Sequence, residues 1–238
     1  FGNSLYYKVP AMELILERLP ASLELAVAAM LIALVVAVPV GIVSAVRRGS
    51  LLDMGAMLGA LFGLSMPHFW LGIMMILLVS VKLGWLPASG YQPFSEDPLQ
   101  SIKTMLMPAF VLGTAIAATL MRHTRSSMLS VMSADYVRTA RAKGLSERVV
   151  ILKHALRNAL LPMITLVGLS IPLLVSGAFI IEYVFGWPGM GRLYYQAATG
   201  RDYPVLMAIL IFASMFTVFA NLLADIAYTF LDPRITAD

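Results

Sequence analysis

Few side chains in this sequence combine the types and spacing that chemistry requires. A P-loop needs glycine directly before its lysine, so that successive backbone N–H groups can wrap a phosphate. The five lysines, Lys8, Lys82, Lys103, Lys143 and Lys153, follow Tyr, Val, Ile, Ala and Leu. A nucleotide site of that type is excluded, and the energy for any work must come from elsewhere. His68, His123 and His154 are never followed by Glu and do not form a ligand pair along one helix, which excludes a zincin-type metal site. The absence of cysteine removes thiolate metal sites, disulfides and Cys nucleophiles together. Ser65 and His68, three residues apart beside Pro67, invite a nucleophile–base reading. Read as neighbours on one helix, they face poorly for proton transfer. No catalytic and no metal-ligating residue is assigned, and the chain reads as a non-catalytic protein.

The elements that must position these groups follow from composition. Sixty per cent of the residues are hydrophobic and 13% are charged, where soluble domains run nearer half and about a quarter. A mean hydropathy of +0.85 fits a chain buried in lipid. About 20 mostly apolar residues cross roughly 30 Å of hydrocarbon, and five segments qualify: 21–46, 54–81, 105–121, 163–181 and 204–231. Backbone groups in lipid must be paired within their own segment, so these are helices, and the fold class is an all-α, polytopic transmembrane bundle. Pro39, Pro67 and Pro172 are expected to kink their helices. Gly63-Leu-Ser-Met-Pro67 recurs as Gly168-Leu-Ser-Ile-Pro172, and both read as bends that let helices approach along a pathway. Ionisable groups inside a membrane are functional candidates. Ser65, Pro67, His68 and Pro172 are therefore pathway candidates. Asp225 pairs more simply with a cytoplasmic Arg, and Glu24 lies at the interface. The sixteen methionines serve adaptable apolar packing.

Basic residues set the orientation. Arg47 and Arg48, the eight cations between Arg122 and Arg157, and Arg234 fall on one side, eleven of the seventeen Lys and Arg. That side is cytoplasmic by the positive-inside rule. The net charge of +4 is thereby explained without nucleic acid. The first residues lie outside the inner membrane and the carboxyl end lies inside. A chain that opens at Phe1 on the outer side, with no basic n-region and no cleavage site, predicts a further span upstream.

Two loops carry more than topology. Asp135-Tyr-Val-Arg-Thr-Ala-Arg-Ala-Lys143 is built of good helix formers, and Gly144 stops it where a C-terminal glycine is expected. Ser146 can cap a second helix running towards Pro162. The result is a cation-rich helix–turn–helix on the cytoplasmic face, a docking surface hinged at Gly144. Phe185-Gly-Trp-Pro-Gly-Met-Gly-Arg192, on the outer side, makes a tight irregular turn, with Phe185, Trp187, Tyr194 and Tyr195 suited to an interfacial belt.

These motifs resemble a known family. Thr124-Arg-Ser-Ser-Met-Leu129, the stretch Asp135 to Leu145, and Ala155-Leu-Arg-Asn-Ala-Leu-Leu-Pro162 are similar to the EAA loop of binding-protein-dependent ABC importer permeases, the MetI-like fold. The form is that of the dipeptide, oligopeptide, glutathione and nickel branch. Arg138-Thr139-Ala140 stand where Glu-Ala-Ala would, so the glutamate has no counterpart. Phe185 to Arg192 and Arg201-Asp-Tyr-Pro204 resemble two further marks of the branch. The resemblance implies an external segment over 1–20, a permease domain over 21–231 with an EAA loop over 122–162, and a cytoplasmic tail over 232–238. It implies an ATPase-coupling role for Asp135, Arg138, Thr139, Ala140, Arg141, Lys143, Gly144 and Leu145. Trp187, Pro188, Gly189 and Gly191 would form an outer gate or contact a periplasmic binding protein. The implied partners are a second, related permease, two cytoplasmic ATPases that hold ATP and Mg, the binding protein, and the lipid bilayer; this chain needs no cofactor itself. Peptide is the implied cargo. The alternative, an ion-gradient secondary transporter, predicts midplane carboxylates and inverted repeats, where this sequence offers one His and one late Asp.

Overall fold

The computed structural model describes residues 1–231, of which 161, 171–177, 224, 225 and 227–231 are described by their backbone alone. The expected tail over 232–238, Arg234 and the Asp225 side chain lie outside the described residues. Among the described residues eleven α-helices run in chain order: α1 (Ala11–Val46), α2 (Leu51–Ser65), α3 (His68–Met75), α4 (Pro98–Met132), α5 (Asp135–Ala142), α6 (Glu147–Val149), α7 (Leu156–Ala159), α8 (Leu161–Gly177), α9 (Phe179–Val184), α10 (Met190–Thr199) and α11 (Tyr203–Leu231). Wider π-helical turns, Ile76–Lys82 and Val150–Ala155, extend α3 and join α6 to α7. The described residues hold no β-strand, only an isolated bridge between Asn3 and Pro10.

Among the described residues three helices are long and apolar enough to cross a membrane, and two broken pairs would bring the number to five. Four of the expected segments overlap the three long helices and the first broken pair, whereas the second pair, Glu147–Ala159 with Pro162–Ser170, overlaps the expected 163–181 only in part. The first begins earlier, at Ala11. The third is longer, since α4 continues through the Arg122 and Arg125 region expected to be loop. With 35 residues, α4 is about 52 Å long, well beyond the hydrocarbon thickness. The second segment is not one helix. Proline disfavours helical backbone in the residue before it, and Pro67 itself is extended (φ −60°, ψ 127°) at the N-cap of α3. Ser65 therefore closes α2 while His68 opens α3, which corrects the placement of both on one helix.

The chain divides into two compact units. One comprises Phe1–Ile32, Met66–Thr114 and Ser170–Ala220; the other comprises Ala33–Ser65, Ala115–Leu169 and, of the described residues, 221–231. In the first, the start of α1 (Ala11, Leu14, Ile15) packs on Met190, Leu193 and Ala197 of α10 and on Val205, Ala208 and Ile209 of α11. In the second, Ala45 of α1 meets Met128 of α4, Ala155 and Ala159. Gly41 lets α1 approach α4 closely, because a Cβ there would lie 2.7 Å from the Thr124 Cβ. Small residues at such crossings allow backbones to touch.

A buried ion pair fixes the second unit. Asp53, at the start of α2, is 5% exposed. Arg125 of α4 grips it with both ends of its fork, Nε to Oδ1 at 2.7 Å and Nη2 to Oδ2 at 2.8 Å. The Ser44 hydroxyl and the Gly49 N–H also donate to this carboxylate. Removing one partner of a buried pair strands the other charge, whereas replacing both by apolar groups of similar volume is often neutral. Arg125→Ala should lower the detergent melting temperature by about 5 °C or more, and Arg125→Met with Asp53→Leu should recover most of that loss. Equal melting of Arg125→Ala and the parent protein would show that the pair holds nothing.

Candidate functional site

Between α4 and α8 the chain builds a small platform with its own core. In α5, Val137 and Ala140 turn inward against Val150 and Val131. Arg138, Thr139, Arg141 and Lys143 are exposed, as are Gly144 and Leu145. Ala140 therefore supports the platform from inside and presents no side chain to a partner. Asp135 stands in the first turn of α5, where a negative charge suits the helix dipole.

Gly144 ends this helix as the sequence predicts. Its φ is +76°, left-handed backbone that costs other L-residues about 1–2 kcal/mol. A Cβ there would meet nothing within 4 Å, so the requirement is conformational and not steric. Ser146 occupies the N-cap of α6, but its side chain makes no capping bond. Its carbonyl accepts from the Val149 and Val150 N–H groups instead.

The turn is braced from outside. Arg141 donates to Glu147 through Nη2 at 2.7 Å and Nε at 3.2 Å, joining the two sides of Gly144. The Arg141 hydrogen bond holds the Glu147 carboxyl below its usual range and raises the guanidinium in turn. The pair is solvent-exposed, so it sets geometry more than stability. Asn158 of α7 donates to the Tyr136 hydroxyl at 2.9 Å. Tyr136, Leu145, Val149 and Leu152 are exposed large side chains among these cations. An apolar patch rimmed by positive charge is suited to a protein partner with an acidic rim.

The second motif is organised by a residue that sequence reasoning did not single out. Glu182 is fully buried in α9. Its carboxylate accepts from the Ser22 hydroxyl at 2.6 Å, the Gly191 N–H at 2.7 Å and the Arg192 N–H at 3.1 Å. The Met190 N–H donates to Ser22 Oγ at 2.8 Å. The free N–H groups that open α10 thus find their acceptors on α1 and α9. Burial pushes the Glu182 carboxyl up, while the Ser22, Arg192 and Gly191 donors pull it down; burial wins. Gly189 and Gly191 allow this approach. A Cβ on Gly189 would lie 2.2 Å from Glu182 Oε1, and one on Gly191 would lie 2.1 Å from the Phe179 Cα.

Trp187 lies inside the turn, fully buried, and its indole N–H donates to the Ala21 carbonyl at 2.8 Å. Tyr91 packs edge-on against Trp187 and donates to Glu24 at 3.1 Å. Burial, then the Glu24 charge, push the Tyr91 hydroxyl up to about 12. Phe185, Trp187, Gly189 and Gly191 are all buried, so they form no interfacial belt and offer no surface; Pro188 is the partly exposed member of the predicted quartet. Asp202, 2% exposed, accepts from Ser4 and from the Leu5 and Tyr6 N–H groups. Burial opposes its ionisation, but these donors and the Val205 N–H hold its carboxyl below the ordinary value.

The pathway candidates are not gathered into a reaction centre. Ser65 is exposed at the end of α2. His68 is half-buried with Nδ1 lacking a hydrogen-bond partner, so no group orients its imidazole as a base. Pro172 falls within α8, where its side chain lies outside the described residues. Among the described residues no group of three or more His, Asp or Glu could hold a metal ion.

Comparison with known proteins places these features in a family. Residues 37–237 match the family described as "Binding-protein-dependent transport system inner membrane component". The chain is 45% identical over 238 residues to the oligopeptide transport system permease protein AppB of Bacillus subtilis (strain 168), covering 99% of this chain and 75% of that protein. It is 44% identical over 237 residues to a putative peptide transport system permease protein of Brucella suis biovar 1 (strain 1330), covering 100% and 76%. It is 42% identical over 257 aligned residues to the dipeptide transport system permease protein DppB of Escherichia coli (strain K12), covering 98% and 76%. A structure of the MetNI methionine ABC transporter, inward-facing, superposes with a TM-score of 0.75 at 18% identity, covering 93% of this chain and 97% of that one. This likeness bears out the MetI-like fold.

Two substitutions measure the outer turn. Glu182→Ala should cost about 3 kcal/mol or more, because buried donors lose their acceptor, and Glu182→Gln about 1–2 kcal/mol. Gly191→Ala should cost roughly 1–3 kcal/mol by overpacking against fixed backbone. Thermal unfolding in detergent reads all three; a Glu182→Ala protein as stable as the parent would discard the buried carboxylate as organiser.

Proposed function

The chain belongs to the family of binding-protein-dependent transport system inner membrane components, and from that premise we propose that it is a permease subunit of an ATP-driven peptide importer. It is a multi-pass membrane protein, and three of its relatives are named as oligopeptide, peptide and dipeptide permeases. Within this reading a second, related permease completes the pathway. Two cytoplasmic ATPases supply ATP and Mg, and a periplasmic protein delivers peptide. The chain itself holds no cofactor and catalyses nothing. The platform faces the cytoplasm and the Glu182 turn faces the periplasm, an orientation supported by eleven of seventeen basic residues falling on one side.

The observation that carries the proposal is the platform itself. A loop that merely fixed topology would need cations but no core. Here Val137, Ala140 and Val150 are buried beneath an exposed cationic and apolar face. Pressure from a docked ATPase on α5 would pass through Gly144 and the Arg141–Glu147 brace into α6, α7 and α8. Nothing in the comparisons favours a pathway driven by an ion gradient.

Gly144→Asp tests the hinge. Aspartate tolerates left-handed backbone better than most residues, so the subunits should still co-purify while peptide uptake falls to background. Uptake at the parental rate would remove Gly144 from coupling. For the brace, Arg141→Glu should cut uptake several-fold, and adding Glu147→Arg should restore much of it. A double variant no better than the single one would show that Arg141 acts without Glu147.

A further inference from the structure

One groove borders the platform and shares only Leu152 with its exposed apolar patch. It runs between the end of α1 and the segment formed by α6 and the π turn after it, with a volume of about 610 Å³. Ile42, Val43 and Val46 of α1 form one wall, and Ile151 and Leu152 form the other. Val43, Val46 and Leu152 are 45%, 38% and 50% exposed. On α1 the exposed apolar strip continues away from the groove through Val40, Val36 and Val35. From Val36 to Val46 that is about 15 Å of helix, enough to lie along much of an acyl chain.

Charge decides what the groove can hold. Arg47, directly after the last residue of α1, and Arg148 of α6 both line it and are exposed. Among the described residues neither is paired with a carboxylate; the ion pairs go to Arg18, Arg125, Arg138 and Arg141. The one acidic lining residue, Glu147, is held by Arg141 at 2.7 Å. The groove is thus an apolar trough carrying two uncompensated guanidiniums where a membrane-crossing helix ends. A water-soluble protein could not follow its α1 wall into the hydrocarbon. A lipid could.

We propose that this groove is a binding site for an anionic phospholipid, with its phosphate between Arg47 and Arg148 and an acyl chain along Val43, Val40 and Val36. Guanidinium forks match phosphate oxygens bidentately, and basic pockets beside helix ends at the membrane surface select anionic headgroups. Bound there, the lipid would tie the end of α1 to α6. It would act beside the coupling platform without taking part in ATPase docking. The inference rests on membrane residence and not on the identity of the cargo.

Native mass spectrometry of the purified transporter, with whatever subunits accompany the chain, tests it. The protein is offered phosphatidylglycerol or phosphatidylcholine with the same acyl chains. The parent should retain phosphatidylglycerol about tenfold better, and that preference should shrink as salt is raised. Arg47→Gln with Arg148→Gln should reduce phosphatidylglycerol to the phosphatidylcholine level, whereas Arg47→Lys with Arg148→Lys should keep part of the preference. Several outcomes overturn the site: no headgroup preference in the parent, an unchanged preference in the double Gln protein, or equal loss of both lipids, which marks apolar collapse. Loss of accompanying ATPase subunits from the double Gln protein with lipid retention intact would assign the groove to protein docking instead. Peptide uptake is not the readout, so failure here leaves the importer reading standing.

Discussion

A carboxylate removed from water must be surrounded by donors, or it neutralises or unfolds its surroundings. Three acids in the described residues are removed in this way: Asp53, Glu182 and Asp202. Each accepts from at least one group distant in sequence. Arg125 and Ser44 close on Asp53, Ser22 and the start of α10 close on Glu182, and Ser4, Leu5 and Tyr6 close on Asp202. In a helical membrane protein, apolar side chains gain little by leaving lipid for one another. Directional bonds to a few buried charges therefore fix helix positions more sharply than apolar contact does. These acids hold the elements from which the platform and the outer turn are built.

The platform follows from that arrangement. Arg125 lies ten residues before Asp135, on a helix already anchored through Asp53. The short helices α5 to α7 then need little core of their own, which Val137, Ala140 and Val150 supply. Gly144 provides the reversal, and Arg141 with Glu147 limits its opening. The exposed face is left free for another protein, as the proposed coupling to a separate ATPase requires.

The sequence was most legible where local chemistry decides structure. Gly144 ends its helix because few other residues accept φ of +76°, and the apolar segments could only be helices. It was least legible where partners come from far along the chain. Glu182 carries no local mark, because its acceptor role depends on Ser22, 160 residues earlier. On sequence the glycines mark a tight irregular turn, whereas Gly189 and Gly191 also answer a close approach visible only in three dimensions. Trp187 was assigned to a surface on its amphipathic character, but its N–H is satisfied by Ala21 and the ring is buried. At Pro67 the kink was foreseen, but not that the helix would stop and restart there. The Asp53–Arg125 pair joins residues 72 apart, and no local pattern marks it.

The most direct measurement of the central claim uses the absence of cysteine from this chain. A single cysteine placed at Lys143, beside the turn, is the only thiol within these 238 residues in a membrane co-expressing the proposed transport partners. Short thiol-directed cross-linking should join it to an ATPase subunit, with a yield that changes between nucleotide-free and ATP-bound states. A control cysteine at exposed Trp85 should give no such product. Cross-linking from Lys143 only to lipid or to other permease chains, in every nucleotide state, would contradict the platform's role as the coupling surface.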